Sequence, residues 1–144
     1  MRLAGFLAGG GTETLNLMFR YPDLYSVGVS VASVPDQRLY DSIYQERYMG
    51  LPQDDSKAYE QSSAINFTSG LRGDLLIMHG SGDDNVHFQG FELLVNNLIS
   101  LGKNFDMRVY PGRTHGLVEG PGTTPDVYAN ILGYFETHLP REPR

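Results

Sequence analysis

The sequence has no cysteine and no tryptophan among its 144 residues, and its basic side chains are outnumbered by acidic ones. The absence of cysteine excludes disulfide bonds, cysteine nucleophiles and cysteine-based zinc sites. The 11 Lys and Arg residues against 17 Asp and Glu residues give a formal net charge of −6. This charge argues against a nucleic-acid partner, because a surface that binds phosphates is normally basic. No run of about 18 apolar residues occurs, so the sequence predicts no transmembrane helix.

The composition is typical of a folded globular protein. Hydrophobic residues make up 40% of the chain and charged residues 19%, which is too apolar for a disordered chain. The sequence shows no internal repeat and no linker, so a single domain over residues 1–144 is expected. Residues 140–144 combine proline with charged side chains, and we expect them to form a frayed tail.

Short apolar runs alternate with longer segments of helical periodicity. The runs predict β-strands at residues 3–7, 27–34, 75–78 and 105–110. The longer segments predict helices at residues 12–20, 39–49, 56–65, 88–101 and 125–139, the third of them capped by Ser56. This alternation predicts an α/β fold with a mainly parallel sheet flanked by helices.

Three loops follow predicted strands and are the places where such a fold carries its chemistry. They lie at residues 8–11, 79–85 and 112–116, and they contain a sharp glycine-rich turn, an acidic cluster and a histidine in that order. The order matches that of the nucleophile, the acid and the base in α/β-hydrolases. The glycines of the first loop are interpreted as a tight turn that lets a helix pack closely on a strand.

Metal and cofactor sites are not expected. His79 and His87 do not form a His-x-x-x-His or His-Glu-x-x-His pattern, and no cysteine accompanies them. The preferred interpretation is a histidine that packs beneath the acidic loop. The first glycine-rich loop lacks the lysine of a phosphate-binding loop, which argues against nucleotide binding.

Two strings of residues carry a family resemblance. They read Tyr-Gln-Glu-Arg-Tyr-Met-Gly-Leu-Pro at residues 44–52 and Asp-Asp-Asn-Val-His-Phe-Gln at residues 83–89. Together with the segments around them, they resemble the dipeptidyl-peptidase branch of the prolyl oligopeptidase family over about residues 2–139. The resemblance implies the C-terminal part of an α/β-hydrolase domain. It also implies a serine exopeptidase that releases Xaa-Pro or Xaa-Ala dipeptides by acyl transfer through a Ser-Asp-His triad.

The resemblance also assigns roles to individual residues. Asp83 matches the family's catalytic acid, and His115 matches its catalytic base. Asn85 matches a residue that helps to hold the carbonyl group of the substrate. The positions that match the wall of the small pocket for proline or alanine are Val34, Tyr40 and Tyr44. The implied partner is therefore a peptide with proline or alanine at its penultimate position.

The sequence departs from the family at the nucleophile. The family's elbow reads Gly-Trp-Ser-x-Gly-Gly, whereas this chain has Phe6-Leu7-Ala8-Gly9-Gly10, which places Ala8 at the nucleophile position. A register shifted by one residue would place Gly9 there. Alanine has no hydroxyl group, so we expect the chain to be inactive as written. The alternative is a non-catalytic module that binds peptides or forms dimers.

The chain is also shorter than the family's catalytic domain, which begins with further strands and is preceded by a β-propeller. We therefore expect a truncated domain that associates into a homo-oligomer through its C-terminal helix or through an exposed sheet edge. The sequence gives no compartment, and the resemblance places the parent enzyme in the periplasm or outside the cell.

Overall fold

The structure, a computed structural model, describes residues 2–5 and 9–139 of the chain. Strands and helices alternate in it, as the apolar periodicity predicts. The strands are β1 (Arg2–Gly5), β2 (Val27–Val31), β3 (Asp74–Gly80) and β4 (Asp106–Tyr110). The helices are α1 (Gly9–Arg20), α2 (Ser42–Met49), α3 (Ser56–Ser62), α4 (Phe88–Ser100) and α5 (Thr123–His138), and 3-10 turns lie at Gln37–Leu39 and Ala64–Gly70.

The four described strands form one parallel sheet in the order β1-β2-β3-β4. The carboxyl ends of β3 and β4 meet at the same edge, since Gly80 is paired with Tyr110. The predicted α/β fold with a mainly parallel sheet flanked by helices is thereby confirmed. The loops that follow β3 and β4 emerge side by side, which is the geometry that brings two side chains from distant parts of the sequence together.

Alternate residues of β3 contribute to apolar cores on opposite faces of the sheet. Leu75 and Ile77 belong to the core beneath α1 and α4, whereas Leu76 and Met78 belong to the core beneath α5. The first core also contains Leu15, Met18, Leu94 and Leu98, all fully buried. Burial of each such leucine stabilises the fold by about 1.5–3 kcal/mol relative to an exposed side chain. The two cores hold β3 rigidly, and β3 carries the loop with the acidic cluster.

Two predicted helices are wrong in their bounds, and in both of them an aspartate caps the observed helix. The predicted helix at 39–49 is a 3-10 turn at Gln37–Leu39 followed by α2, since the Asp41 carboxylate accepts the Ile43 N–H at 2.9 Å and starts a new helix. The predicted helix at 56–65 ends at Ser62. Its cap is Asp55 rather than Ser56, because the Asp55 carboxylate accepts the Ala58 N–H at 2.9 Å.

The second strand is also shorter than the predicted 27–34. It ends at Val31, where Ala32 takes a positive φ of 47° and donates its N–H to the Met78 carbonyl at 2.9 Å. The chain then turns toward α1, where the Thr12 Oγ1 accepts the Val34 N–H and donates to the Val34 carbonyl.

The glycine run at residues 9–11 is the first turn of α1 rather than a turn before it. Gly11 packs directly on β2, since a Cβ there would lie 2.5 Å from the Val31 carbonyl oxygen. The Ser30 hydroxyl donates to the Gly11 carbonyl at 2.9 Å and fastens the helix to the strand. The interpretation of close helix–strand packing is therefore correct, although the predicted helix start at residue 12 is three residues late.

Parts of the predicted features lie outside the described residues. These are residues 6 and 7 of the first predicted strand, Ala8 at the expected nucleophile position, and the predicted tail at 140–144. Across the described part of the chain, no helix combines the length and apolar character needed to cross a membrane.

Candidate active site

Hydrogen bonds of the backbone tie the loops after β3 and β4 to each other. Ser81 donates its N–H to the Tyr110 carbonyl at 3.0 Å, and Gly82 donates its N–H to the Arg113 carbonyl at 3.1 Å. Gly112 in turn donates its N–H to the Ser81 hydroxyl at 2.8 Å. The two loops therefore form one unit, and the side chains that they carry have fixed positions relative to each other.

Gly80 makes this close approach possible. A Cβ at Gly80 would lie 2.2 Å from the Arg113 carbonyl oxygen and 2.9 Å from the Thr114 carbonyl oxygen. Both atoms belong to the backbone, so neither can rotate away. Only glycine allows the carboxyl end of β3 to contact the loop that carries His115.

Asp83 and His115 form a hydrogen-bonded pair across these loops. The His115 Nδ1 lies 2.9 Å from the Asp83 Oδ2. The carboxylate of Asp83 is fully buried, whereas the imidazole of His115 is 15% exposed. The other carboxylate oxygen, Oδ1, accepts the backbone N–H groups of Asn85 at 3.0 Å and Val86 at 2.8 Å. These backbone donors orient the carboxylate so that Oδ2 faces the histidine.

This geometry fixes the tautomer of His115 in its neutral form. A carboxylate can only accept hydrogen bonds, so Nδ1 carries the proton and Nε2 has a free lone pair. An imidazole held in this way can take a proton at Nε2, and the carboxylate stabilises the imidazolium that results. The pair is therefore chemically suited to act as a general base.

A cavity of about 670 Å³ lies beside His115. Its described lining consists of Leu39, Tyr40, Asp41, Asp84, Asn85, His87 and His115. The Tyr40 hydroxyl donates to the Asn85 Oδ1 at 3.0 Å across this cavity. Partial burial, together with the nearby Asp41 carboxylate, raises the pKa of Tyr40 and keeps its hydroxyl protonated as a donor. Of the six described residues that the resemblance singled out, Tyr40, Asn85 and His115 meet at this cavity.

Tyr44 and Val34 are not among the described residues that line the cavity. The Tyr44 ring packs edge-on against the Tyr40 ring with 5.7 Å between the centroids, and 56% of the residue is exposed. Val34 is buried and is hydrogen-bonded to Thr12 through its backbone. The structure therefore places Tyr44 next to a lining residue and Val34 in the interior.

Asp36 is a buried residue that the sequence did not single out. Its Oδ1 accepts the Arg38 N–H at 3.0 Å, and the Arg38 guanidinium pairs with its Oδ2 at 2.7 Å. Burial alone would raise the pKa of Asp36, but the hydrogen bonds from Arg38 outweigh burial and lower it. The carboxylate stays charged and caps the 3-10 turn that leads into Tyr40. An aspartate one residue after a proline is a turn signal that could have indicated this role.

His79 lies directly beneath the acidic loop, as the sequence suggested for a histidine of this segment. Its imidazole is fully buried, and its Nε2 lies 2.8 Å from the Val86 carbonyl oxygen and 3.2 Å from the Asp83 Oδ2. His87, by contrast, is exposed and lines the cavity. In the described residues, no cluster of three or more histidine, aspartate and glutamate side chains could hold a metal ion.

Burial of His79 predicts that the chain loses stability in mild acid. Burial lowers the pKa of His79 below 6.5 and outweighs the contacts with Val86 and Asp83 that raise it. Below pH 6.5 the unfolded chain therefore binds a proton at His79 more readily than the folded chain does. The stabilisation is complete above this pH and is lost as the pH falls towards the folded-state pKa.

Urea unfolding between about pH 5 and pH 7.5 checks this expectation, with the free energy of unfolding lower at the acidic end. The His79→Gln variant should show a shallower decrease, whereas His87→Gln, at an exposed position, should keep the wild-type slope. Equal slopes for all three proteins would contradict the assignment to His79.

The fold and the site together define the class of protein. A parallel sheet flanked by helices carries an acid after one strand and a histidine after the next strand along the chain. That is the α/β-hydrolase arrangement.

Comparison with known proteins narrows the class to a family. The family model described as the prolyl oligopeptidase family matches residues 7–142. The protein named probable dipeptidyl-aminopeptidase B of Metarhizium robertsii is 47% identical over 111 residues, which cover 75% of this chain and 12% of that relative. The protein of the same name from Arthroderma gypseum is 46% identical over 111 residues, with the same coverage.

A solved structure agrees with these matches. The crystal structure of Porphyromonas gingivalis dipeptidyl peptidase 4 superposes on this chain with a TM-score of 0.92 at 36% sequence identity. The superposition covers 96% of this chain and 19% of that structure's chain. The chain belongs to the prolyl oligopeptidase family, and it spans 12% of the length of the first two curated relatives.

Proposed function

We propose that this chain supplies the acid, the base and part of the substrate pocket of a dipeptidyl-peptidase type of serine exopeptidase. The observation that carries the proposal is the 2.9 Å hydrogen bond between His115 Nδ1 and Asp83 Oδ2 beside an open cavity. A buried carboxylate that orients a partly exposed imidazole is the arrangement that activates a hydroxyl nucleophile.

In the proposed mechanism His115 acts as general base and then as general acid. Its Nε2 takes the proton of a serine hydroxyl while the serine oxygen attacks the scissile carbonyl, and it then gives that proton to the leaving amine. Asp83 holds the imidazole and stabilises its charged form, without itself taking up the proton. Water later hydrolyses the acyl-enzyme by the same route and releases the dipeptide.

The proposed substrate is a peptide with proline or alanine at its penultimate position. Tyr40 and Asn85 support this proposal because they line the cavity and are joined by a hydrogen bond. Asn85 offers a carboxamide that can hold a substrate carbonyl group. Tyr44 would extend the tyrosine wall, and Val34 would support it from the interior.

We propose that the chain with this sequence does not catalyse the reaction, because alanine at position 8 has no hydroxyl group for His115 to activate. Intact-mass measurement after treatment with a fluorophosphonate probe tests this expectation. No adduct is expected on the folded chain. An adduct on one serine or threonine that disappears in the His115→Ala variant would overturn it, since it would show a hydroxyl activated by this histidine.

The runner-up is a non-catalytic module that binds peptides through the same cavity or associates through its surface. The observation that favours it is the exposed tyrosine row of α2, in which the Tyr44 and Tyr48 rings lie 5.0 Å apart. NMR titration with an Ala-Pro-Ala peptide should move the resonances of Tyr40 and Asn85 with a dissociation constant of about 1 mM, or about −4 kcal/mol. Ala-Gly-Ala serves as the matched control, and equal shifts with both peptides would argue against a pocket for proline.

Self-association is proposed at the β4 side of the sheet. β4 ends the described sheet with Met107 56% exposed, and Leu132 of the neighbouring α5 is 62% exposed. An uncovered strand edge next to exposed apolar side chains favours pairing with another chain. Sedimentation velocity should show a homo-oligomer, and a monomer at every concentration would contradict this.

A further inference from the structure

We infer that His79 is a positioning residue that holds Asp83 in place through a proton on its Nε2 atom. The inference deepens the proposed function, because it rests on Asp83 being the acid that orients His115. In the proposed mechanism Asp83 and His115 handle the proton, and His79 takes no part in its transfer. The position of His79 beneath the Asp83 carboxylate indicates a role for this residue.

The tautomer of His79 follows from the two atoms that face Nε2. The Val86 carbonyl oxygen at 2.8 Å and the Asp83 Oδ2 at 3.2 Å both accept hydrogen bonds and cannot donate. Nε2 therefore carries a proton, which it shares between the two oxygens. The other ring nitrogen, Nδ1, is buried and has no hydrogen-bond partner within the described structure.

The surroundings of His79 keep it neutral. The titratable groups that face it are Asp83, on the turn after β3, and His115, on the loop after β4. From α4 it meets the apolar rings of Phe88 and Phe91, with centroids 5.9 Å and 5.5 Å away. A second proton, on Nδ1, would create a buried N–H donor for which none of the described groups is an acceptor, which is unfavourable.

Both oxygens of the Asp83 carboxylate therefore have close polar contacts. Oδ1 of Asp83 accepts two backbone N–H groups. Oδ2 lies 2.9 Å from the His115 Nδ1 and 3.2 Å from the His79 Nε2. Without the His79 donor, Oδ2 would be held only through the backbone contacts of Oδ1, and its bond with His115 would open more often. His79 thus acts on the base only through Asp83.

The test is long-range ¹H–¹⁵N NMR of the full chain labelled at its four histidines, with His79→Gln and His79→Leu variants. Glutamine can place an N–H near the position of Nε2, whereas leucine fills similar space without a donor. We expect the His115 Nδ1–H resonance to exchange with water about tenfold faster in His79→Leu than in wild type, an opening cost of about 1.4 kcal/mol. His79→Gln should restore slow exchange. Urea unfolding of both variants shows whether each is folded.

The outcomes separate this inference from the proposed function. A wild-type His79 that shows the Nδ1–H tautomer would overturn the inference even if the leucine variant fails to fold. Equal exchange in wild type and both folded variants would also overturn it, while leaving the Asp83–His115 pair intact. Failure of the proposed function would appear differently. If Asp83 and His115 do not form a pair, the NMR signals of His115 would be the same in the wild-type chain and in the Asp83→Asn variant.

Discussion

Replacing Gly80 with alanine is expected to destabilise the chain by about 2–3 kcal/mol, because overpacking a rigid contact forces the backbone to move. The added methyl group would lie 2.2 Å from the Arg113 carbonyl oxygen, which belongs to the loop that carries His115. The two loops must move apart to accommodate it. The variant should therefore lose both stability and the hydrogen bond between Asp83 and His115.

Gly133 provides the matched control for this substitution. It lies within α5, and a Cβ there would meet nothing within 4 Å. Gly133→Ala should stabilise the chain by about 0.5–1 kcal/mol, since alanine restricts the unfolded chain and favours the helix. Urea unfolding followed by far-ultraviolet circular dichroism suits this comparison, because the chain has no tryptophan. Wild-type stability in Gly80→Ala would contradict the close approach of the loops.

Removing the Asp83 carboxylate should cost about 3–5 kcal/mol, because several buried N–H donors lose an acceptor at about 1–3 kcal/mol each. Asp83→Ala leaves the N–H groups of Asn85 and Val86 and the Nδ1–H of His115 without their acceptor, whereas the Nε2–H of His79 keeps the Val86 carbonyl. Asp83→Asn is milder, at about 1–3 kcal/mol. Its amide oxygen can still accept the backbone donors, but its NH₂ group then faces two N–H donors.

The Asp83→Asn variant separates the contribution of Asp83 to stability from its contribution to the proposed reaction. The wrong tautomer of the base lowers turnover by about 10⁴ in a working triad, so the acid matters far more for the reaction than for the fold. Asp84→Asn is the control, because Asp84 is exposed and should change stability by no more than about 0.5 kcal/mol. Urea unfolding that ranks Asp83→Ala level with Asp84→Asn would contradict the four contacts of the buried carboxylate.

The parts of the fold that the sequence predicted are those governed by local periodicity. β3 is a short apolar run that is covered on both faces, and α4 is a long amphipathic segment, so each has one dominant pattern. The predicted bounds were wrong where a capping side chain or a tertiary contact, rather than periodicity, accompanies the end of the element. α1 includes the glycine run from Gly9, and Gly11 fits closely against Val31, a contact that no periodicity in the run reveals.

The candidate site likewise has features that the sequence pattern predicts and features that it does not. Parallel strands bring their carboxyl ends together, so the loops with Asp83 and His115 could be predicted as neighbours. The choice of these two residues as acid and base came from the family resemblance, and the structure joins them by a hydrogen bond. The shape of the pocket could not be predicted in this way. Tyr40 reaches the cavity because Asp36 and Arg38 fix the turn before it, and that network joins residues that no motif connects. The proton on His79 likewise depends on two acceptors that meet only in the fold.

The tautomer of His115 is the most direct test of the proposed acid–base pair. Long-range ¹H–¹⁵N NMR of the histidine-labelled wild-type chain reads it from the two ring nitrogens, with His115→Ala identifying the resonances. The predicted result is a neutral His115 that carries its proton on Nδ1, shared with Asp83, and has Nε2 unprotonated. A His115 that carries its proton on Nε2, with signals unaffected by Asp83→Asn, would contradict the pair and with it the proposed function.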